Sequence, residues 1–230
     1  HGAALVAFAL LVAAPAIART SRNVTQLANI DAYGTNYSAC CTYVHTDGRE
    51  YAVLGESNGS AIYNVTNPSA PALVGVIAGP SSAWREMKQY RNWLYVVSEG
   101  FGTGRGLQVI RMTDPEHPVL VKTYTATFTI AHTVTIDTTR ALLYANGTSS
   151  GMHCLSLASP ENPVELGVYT TYYVHDLFAR GMRGYAACIN DGLEVVLDMT
   201  TPGTFSQLAS WRTPNSFTHN SWVTPDARYI

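Results

Sequence analysis

One short pattern returns along this chain at a nearly constant interval, and it limits the fold more than any other feature. An apolar, strand-like run is followed by a turn that two prolines bracket. The first prolines of these turns, Pro68, Pro115 and Pro160, are 47 and then 45 residues apart. A fourth copy contains Pro202 and lacks the second proline. Self-similarity at a period of roughly 20–50 residues is typical of repeat architectures, so we expect a fold built from repeated units.

Each unit contains four short strands. Alternating apolar residues precede and follow each proline turn, as at residues 107–111 and 119–124, and two more strands lie upstream, as at 132–137 and 141–145. A composition of 14 Tyr, 18 Gly and 11 Pro with only 13% charged residues favours strands joined by tight turns. Four strands per unit is the pattern of a β-propeller blade. Solenoids of helix pairs have similar periods, but the alternation argues against helices.

The sequence therefore predicts an all-β fold, a truncated β-propeller with about four complete blades plus the start of a fifth. The complete blades are expected at residues 38–79, 81–125, 129–170 and 173–212, and the fifth begins at Phe217. The incomplete propeller domain is thus predicted at residues 38–230, after an N-terminal lead-in at residues 19–37.

Residues 1–18 have the features of a partial signal peptide. The apolar run at residues 2–14 is too short to cross a bilayer and is followed by Pro15 and small residues up to Ala18. A buried strand or helix is the alternative. We expect a secreted protein, extracellular or at the cell surface, without a transmembrane segment. A net charge of −2 argues against nucleic acid, which leaves an unknown extracellular ligand or surface component as the partner.

Export would place the four cysteines in an oxidising compartment. There, Cys40, Cys41, Cys154 and Cys188 allow several disulfide pairings that the sequence cannot separate. The alternative is that Cys154 and Cys188, each inside an apolar strand, are buried free thiols.

Three histidines recur at the same place in successive units. His132, His175 and His219 are 43 and 44 residues apart, and each opens an apolar strand. The innermost strand of a blade runs along the central channel, so residues at its start are expected at one channel mouth. The corresponding and adjacent residues predicted to line this mouth are Trp84, Arg85, Glu86, Asp176 and Asn220.

Three imidazoles with an open position can bind a divalent metal ion, so His132, His175 and His219 are candidate metal ligands. The other interpretation is structural, because histidines at a channel mouth also bond to each other, to water or to carbonyl groups. We expect no function for the serines at 149 and 150, which lack a strand-to-helix elbow, or for His153 in an outer strand.

Several of these segments together resemble the choice-of-anchor B family of secreted β-propellers, which is related to LVIVD-repeat proteins. The resemblance extends from Tyr33 to Ile230 and is carried by residues 50–55, 84–86, 95–99, 106–109, 132–137, 173–176 and 217–222. It implies an exported protein with a C-terminal sorting or anchoring signal and no established activity. The sequence departs from the family at Cys41, where relatives usually have Trp, and at Leu177, where many have a small residue or Cys.

The functional hypothesis is an exported binding module that holds a metal or a small ligand at the channel mouth. The alternative is a metal-dependent hydrolase of the lactonase or esterase type that uses the channel histidines. A purely structural surface protein is the third interpretation.

Overall fold

The computed structural model describes residues 22–34 and 36–230, and in these residues sixteen strands form four antiparallel sheets. The predicted signal peptide lies outside the described residues. The strands of the first two sheets are β1 Tyr37–Val44, β2 Glu50–Glu56, β3 Gly59–Asn64, β4 Ala72–Ala78, β5 Arg85–Tyr90, β6 Trp93–Ser98, β7 Leu107–Arg111 and β8 Val119–Tyr124. Those of the other two are β9 Thr133–Asp137, β10 Leu142–Thr148, β11 Gly151–Ser156, β12 Val164–Tyr169, β13 Asp176–Arg180, β14 Arg183–Cys188, β15 Leu193–Asp198 and β16 Ser206–Arg212.

Each sheet is a meander of four consecutive strands, which is the blade predicted from the repeat. The first strands of the blades, β1, β5, β9 and β13, lie side by side in chain order. The all-β propeller fold is therefore confirmed. The described residues include one 3₁₀ turn, Pro214–Ser216, and no helix long and apolar enough to cross a bilayer.

The proline-bracketed turns of blades two and three pack on the preceding blade. The Tyr51 hydroxyl of blade one donates to Glu116 Oε1 in the turn of blade two at 2.6 Å. The Tyr95 hydroxyl of blade two donates to the Pro160 carbonyl in the turn of blade three at 2.7 Å. Two blades thus meet at each of these two turns, and the spacing of the prolines corresponds to the spacing of the blades.

Apolar side chains fill the space between successive blades. One core cluster joins blades two and three around Tyr95, Leu107 and Leu143, and a second joins blades three and four around Tyr144 and Cys154. All four cysteines are free, and Cys154 and Cys188 are buried. These two residues therefore pack as small apolar side chains, as one of the two sequence interpretations held.

The segment after the 3₁₀ turn follows blade four without forming a strand in the described residues. Val223 is buried against Phe178, Tyr185 and Val196, on the face of blade four that points away from blade three. This segment lies where the fifth blade was predicted to begin. It forms no ladder because no later strand of the described residues pairs with it.

Hydroxyl groups tie the inner strands of blades three and four to each other. Thr133 Oγ1 donates to the His175 carbonyl at 2.8 Å, and Thr135 Oγ1 donates to the Leu177 carbonyl at 2.7 Å. The buried Asn146 amide donates to both threonine hydroxyls, at 3.1 and 3.2 Å. Because each hydroxyl accepts from Asn146, its own proton points at the neighbouring blade.

We expect Thr135→Val to weaken this junction. Valine keeps the shape of threonine but leaves the Leu177 carbonyl and one Asn146 N–H without this partner, which costs about 1–2 kcal/mol in the free energy of unfolding. Urea denaturation measures the loss, with Thr139→Val at an exposed position as the matched control. Equal stability of the two variants would contradict the role given to Thr135.

Candidate functional site

The inner strands enclose a central cavity of about 670 Å³. Its lining comes from β1, β5, β9, β13 and the segment 220–222, so every blade contributes to it. Lys88 and Asp176 are the charged side chains of its lining, which also includes Trp222. A cavity of this size can hold a small organic ligand.

Four rings form a row at one mouth of this channel. The centroid distances are 5.7 Å from Trp84 to His132, 4.3 Å from His132 to His175 and 4.2 Å from His175 to His219. Trp84, His132 and His175 each directly precede the inner strand of their blade. The structure thus brings the three histidines and Trp84 together, beside a cavity of about 310 Å³ that Glu86, Asp176 and Asn220 also line.

Hydrogen bonds set the orientation of two imidazoles in the row. His132 Nδ1 lies 2.8 Å from Glu99 Oε1, and His175 Nδ1 lies 2.7 Å from the His219 carbonyl. A carboxylate and a carbonyl only accept, so both Nδ1 atoms carry the proton and each Nε2 is left as an acceptor in the neutral ring. Burial, followed by the neighbouring His132, lowers the pKa of His175, so that ring is uncharged at neutral pH.

Two carboxyl groups lie next to the row, on the inner strands. Burial raises the pKa of both Glu86 and Asp176, and the nearby Lys88 opposes this rise in each. The Lys88 ammonium donates to Glu86 Oε1. The mouth therefore combines one indole and three imidazole rings with acidic groups and one ammonium group.

Arg85 was predicted to line the channel mouth, and it is among the residues that line the mouth cavity, but its guanidinium is bonded at a blade junction. The side chain is only 2% exposed and lies at the junction of blades one and two. Nη2 donates to the Pro80 carbonyl at 2.6 Å and Nε to the Glu56 carbonyl at 3.3 Å. Side chains alternate along a strand, so Arg85 and Met87 point toward blade one while Glu86 and Lys88 point to the other side. The Arg85 guanidinium thus joins blades one and two through carbonyl groups of the protein.

The described residues contain no group of three or more His, Cys, Asp or Glu side chains arranged to hold a metal ion. In the histidine row the rings stand one beside the next, with the Nδ1 atoms of His132 and His175 already bonded within the protein. The metal role of the three histidines gains no support from this geometry and stays a prediction.

The sequence patterns did not single out Glu99 or Lys88 as site residues. Glu99 follows the second strand of blade two, and it reaches His132 only because the adjacent blade places that ring beside it. Glu99 directly follows β6, the strand that pairs with the inner strand β5. A carboxylate at this position is the sequence signal that could have indicated Glu99 as a site residue. Cys41, which lines the central cavity, has a pKa raised to about 12 by burial, so its thiol stays protonated.

No protein-family model and no curated protein match this chain. Solved structures do match it. One is the periplasmic gluconolactonase PpgL of Pseudomonas aeruginosa, with a TM-score of 0.59 and 13% identity over 84% of this chain and 63% of the other. A proposed 6-phosphogluconolactonase from Bacteroides uniformis has a TM-score of 0.58 and 14% identity, over 73% of this chain and 52% of the other.

A nidogen/laminin complex also matches, with a TM-score of 0.51 and 10% identity over 79% of this chain and 64% of the other. These identities show the shared propeller fold and nothing finer. The chain spans between 52% and 64% of the length of the three structures. The same fold thus occurs in a structure named as an enzyme and in a protein–protein complex. The fold does not distinguish an enzyme from a binding protein, so a functional argument has to rest on the residues of the channel mouth.

Beside His219, a second cavity of about 400 Å³ has a buried carboxyl group, Glu194, in its lining. Burial raises the pKa of Glu194 from 4.5 to about 7. Since the folded state binds this proton more tightly than the unfolded state, the contribution of Glu194 to the free energy of unfolding is most favourable below pH 4.5 and is lost as the pH rises through 7.

We expect Glu194→Gln to remove this loss. The variant should be more stable than the parent protein by about 1–3 kcal/mol at pH 8, with little difference at pH 4. Urea denaturation at the two pH values measures it, and Glu161→Gln at an exposed position is the control. A parent protein that loses no more stability than the Glu194→Gln variant between pH 4 and pH 8 would contradict the assignment.

Proposed function

We propose that this chain is a β-propeller binding module that takes a small, uncharged polyhydroxylated ligand, such as a sugar or a sugar lactone, at the histidine-lined channel mouth. The observation that carries the proposal is the row of Trp84, His132, His175 and His219 along a cavity that the half-buried Glu86 and Asp176 also line. Trp84 is 58% exposed, so a ring face is available at the outer end of the row.

The chemistry of the mouth favours hydroxyl groups over phosphate. Aromatic faces pack against the C–H faces of a sugar ring, and carboxylates and neutral imidazole Nε2 atoms accept hydrogen bonds from its hydroxyls. Glu99, Glu86 and Asp176 face this region with Lys88 as the cation, while the Arg85 guanidinium is bound to carbonyl groups. An anionic ligand would meet this excess of acidic groups, so we infer an unphosphorylated one.

Export and membership of the choice-of-anchor B family belong to the same proposal and rest on the sequence. The apolar start of the chain supports a secretory signal, and the segments around Trp84, His132, His175 and His219 support the family. A binding module at the cell surface fits a fold that also occurs in a protein complex.

Binding of D-glucose and D-glucono-1,5-lactone tests the proposal by isothermal titration calorimetry. We expect Trp84→Ala and His132→Ala to weaken the binding of at least one of them by about tenfold or more, which corresponds to the loss of about 1.4 kcal/mol. Phe101→Ala is the matched control, because Phe101 is 76% exposed and lies in none of the described cavities of the mouth and channel. Unchanged affinity in the Trp84 and His132 variants, or no binding of either ligand, would contradict the proposal and favour a structural surface protein.

Lactone hydrolysis is the second candidate function, and the Glu99–His132 pair is the observation that favours it. A carboxylate that holds Nδ1–H leaves Nε2 free to act as a general base, in the geometry that activates a water molecule. The water would attack the lactone carbonyl and transfer its proton to Nε2. The ring oxygen would then leave as a hydroxyl that recovers this proton.

We expect hydrolysis of D-glucono-1,5-lactone above the spontaneous rate if this candidate is right. Glu99→Gln should lower kcat by about 10²-fold while KM changes little, because the base loses its orientation and the stacking surface remains. Acid release followed with a pH indicator measures both constants. A protein that binds the lactone without accelerating its hydrolysis would exclude the enzyme and leave the binding module.

A further inference from the structure

A second histidine cluster lies outside the channel, in blade three. Ser150 Oγ is 2.8 Å from His153 Nε2, and His153 Nδ1 is 2.5 Å from Glu165 Oε2. A hydroxyl, an imidazole and a carboxylate therefore form one continuous chain of hydrogen bonds. This order of groups is the one in which a serine is activated as a nucleophile, and it is recognised by geometry irrespective of the fold.

The hydrogen-bonding capacities assign each proton in the chain. An ionised Glu165 only accepts, so in the neutral ring His153 Nδ1 carries the proton and Nε2 holds a lone pair. Ser150 must then donate its hydroxyl proton to His153 Nε2. Glu165 holds the tautomer that makes His153 a base toward Ser150.

Local structure places the three side chains. Ser150 lies in the tight turn between β10 and β11, and it is exposed. Thr148 Oγ1 accepts from the Ser150 backbone N–H at 3.2 Å and donates to the Gly151 carbonyl at 2.6 Å, which braces the turn. His153 is 2% exposed and lies against the Phe128 ring at a centroid distance of 5.0 Å, so its imidazole is held in place.

The cluster is particular to blade three and is not a product of the repeat. The proline spacing aligns His153 with Gln108 in blade two and Val195 in blade four. Gln108 Nε2 donates to the Ala78 carbonyl of blade one, which is a blade-to-blade bond, and Val195 belongs to an apolar core cluster. His153, by contrast, bonds only to side chains of its own blade, so joining blades does not explain its presence.

Ser150 also lines a cavity of about 340 Å³, together with Tyr172, Tyr173, Asn190 and Asp191. The lining is rich in hydroxyl, amide and carboxyl groups, which suits a hydrophilic substrate and not a fatty acyl chain. This cavity lies near the channel mouth, and Gly147 is located between the two. A Cβ there would lie 2.5 Å from His132 Cβ and 2.8 Å from the Tyr173 hydroxyl.

We propose that Ser150, His153 and Glu165 form a serine esterase site for short acyl esters of polyhydroxylated alcohols, such as acetylated sugars. Ser150 Oγ attacks the ester carbonyl carbon, its proton passes to His153 Nε2, and the carbonyl π electrons move to oxygen. When that pair returns, the alcohol leaves and takes the proton from Nε2. Water then attacks the acyl-serine, gives its proton to Nε2, and the acid departs as Ser150 recovers the proton.

In this site Ser150 and His153 are the catalytic residues and Glu165 is a positioning residue. Asn190 lines the same cavity, and its amide is the candidate donor to the carbonyl oxygen as that oxygen becomes negative. The site is separate from the channel mouth and does not depend on the function proposed there.

Labelling with diisopropyl fluorophosphate followed by peptide mass spectrometry tests the nucleophile. We expect the label on Ser150 and on no other serine, with the neighbouring exposed Ser149 as the internal control. Hydrolysis of 4-nitrophenyl acetate should fall about 100-fold or more in kcat/KM in Ser150→Ala and in His153→Gln, and Ser149→Ala should retain the parent rate. The melting temperature of each variant shows whether it is folded.

Glu165→Gln should slow both labelling and hydrolysis, and it should also change the pH profile of kcat/KM, because the imidazole loses its carboxylate partner. No label on Ser150, or an equal rate of hydrolysis in folded Ser150→Ala, would overturn the proposal. Channel variants separate the two sites. The His132→Ala variant should still be labelled at Ser150, and the Ser150→Ala variant should still bind D-glucose or D-glucono-1,5-lactone. Failure of one proposed site therefore leaves the test of the other unaffected.

Discussion

The structure depends on lateral bonds between the inner strands of successive blades. A blade buries apolar side chains on both of its faces, but at the channel its inner strand presents backbone groups that need polar partners. Thr133 and Thr135 meet this need by donating to the His175 and Leu177 carbonyls, while Asn146 orients both hydroxyls. This arrangement sets the separation of blades three and four, and with it the 4.3 Å between the His132 and His175 rings.

A different contact, between tyrosine hydroxyls and proline-bracketed turns, holds the outer parts of the blades. It also fixes the separation of neighbouring blades. The proline-bracketed turns of blades two and three each receive a tyrosine hydroxyl, from Tyr51 and Tyr95, in the second strand of the preceding blade. The blades are therefore fixed at two radii, near the axis and near the rim. Side chains at the starts of the inner strands consequently converge without any local signal that directs them to each other.

The two candidate sites arise in different ways from this frame. The row of Trp84, His132, His175 and His219 comes from one position repeated in successive blades, so it is a property of the ring. The cluster of Ser150, His153 and Glu165 belongs to three neighbouring segments of one blade and has no counterpart at Gln108 or Val195. Both open on the same face, since Gly147 brings His132 and Tyr173 close together.

The sequence by itself determined the blade, because a period of two along each strand and the proline turns between strands are local properties of the chain. It also determined that His132, His175 and His219 lie at the same channel mouth, since equivalent positions of a repeat are equivalent in space. Only the tertiary structure decided which way Arg85 points and that Glu99 reaches His132, because these contacts cross from one blade to another. The bond between His153 and Glu165 was equally hidden. It runs diagonally between β11 and β12 beside a register shift at Cys154 and Leu155, and alternation along one strand does not report the register between two.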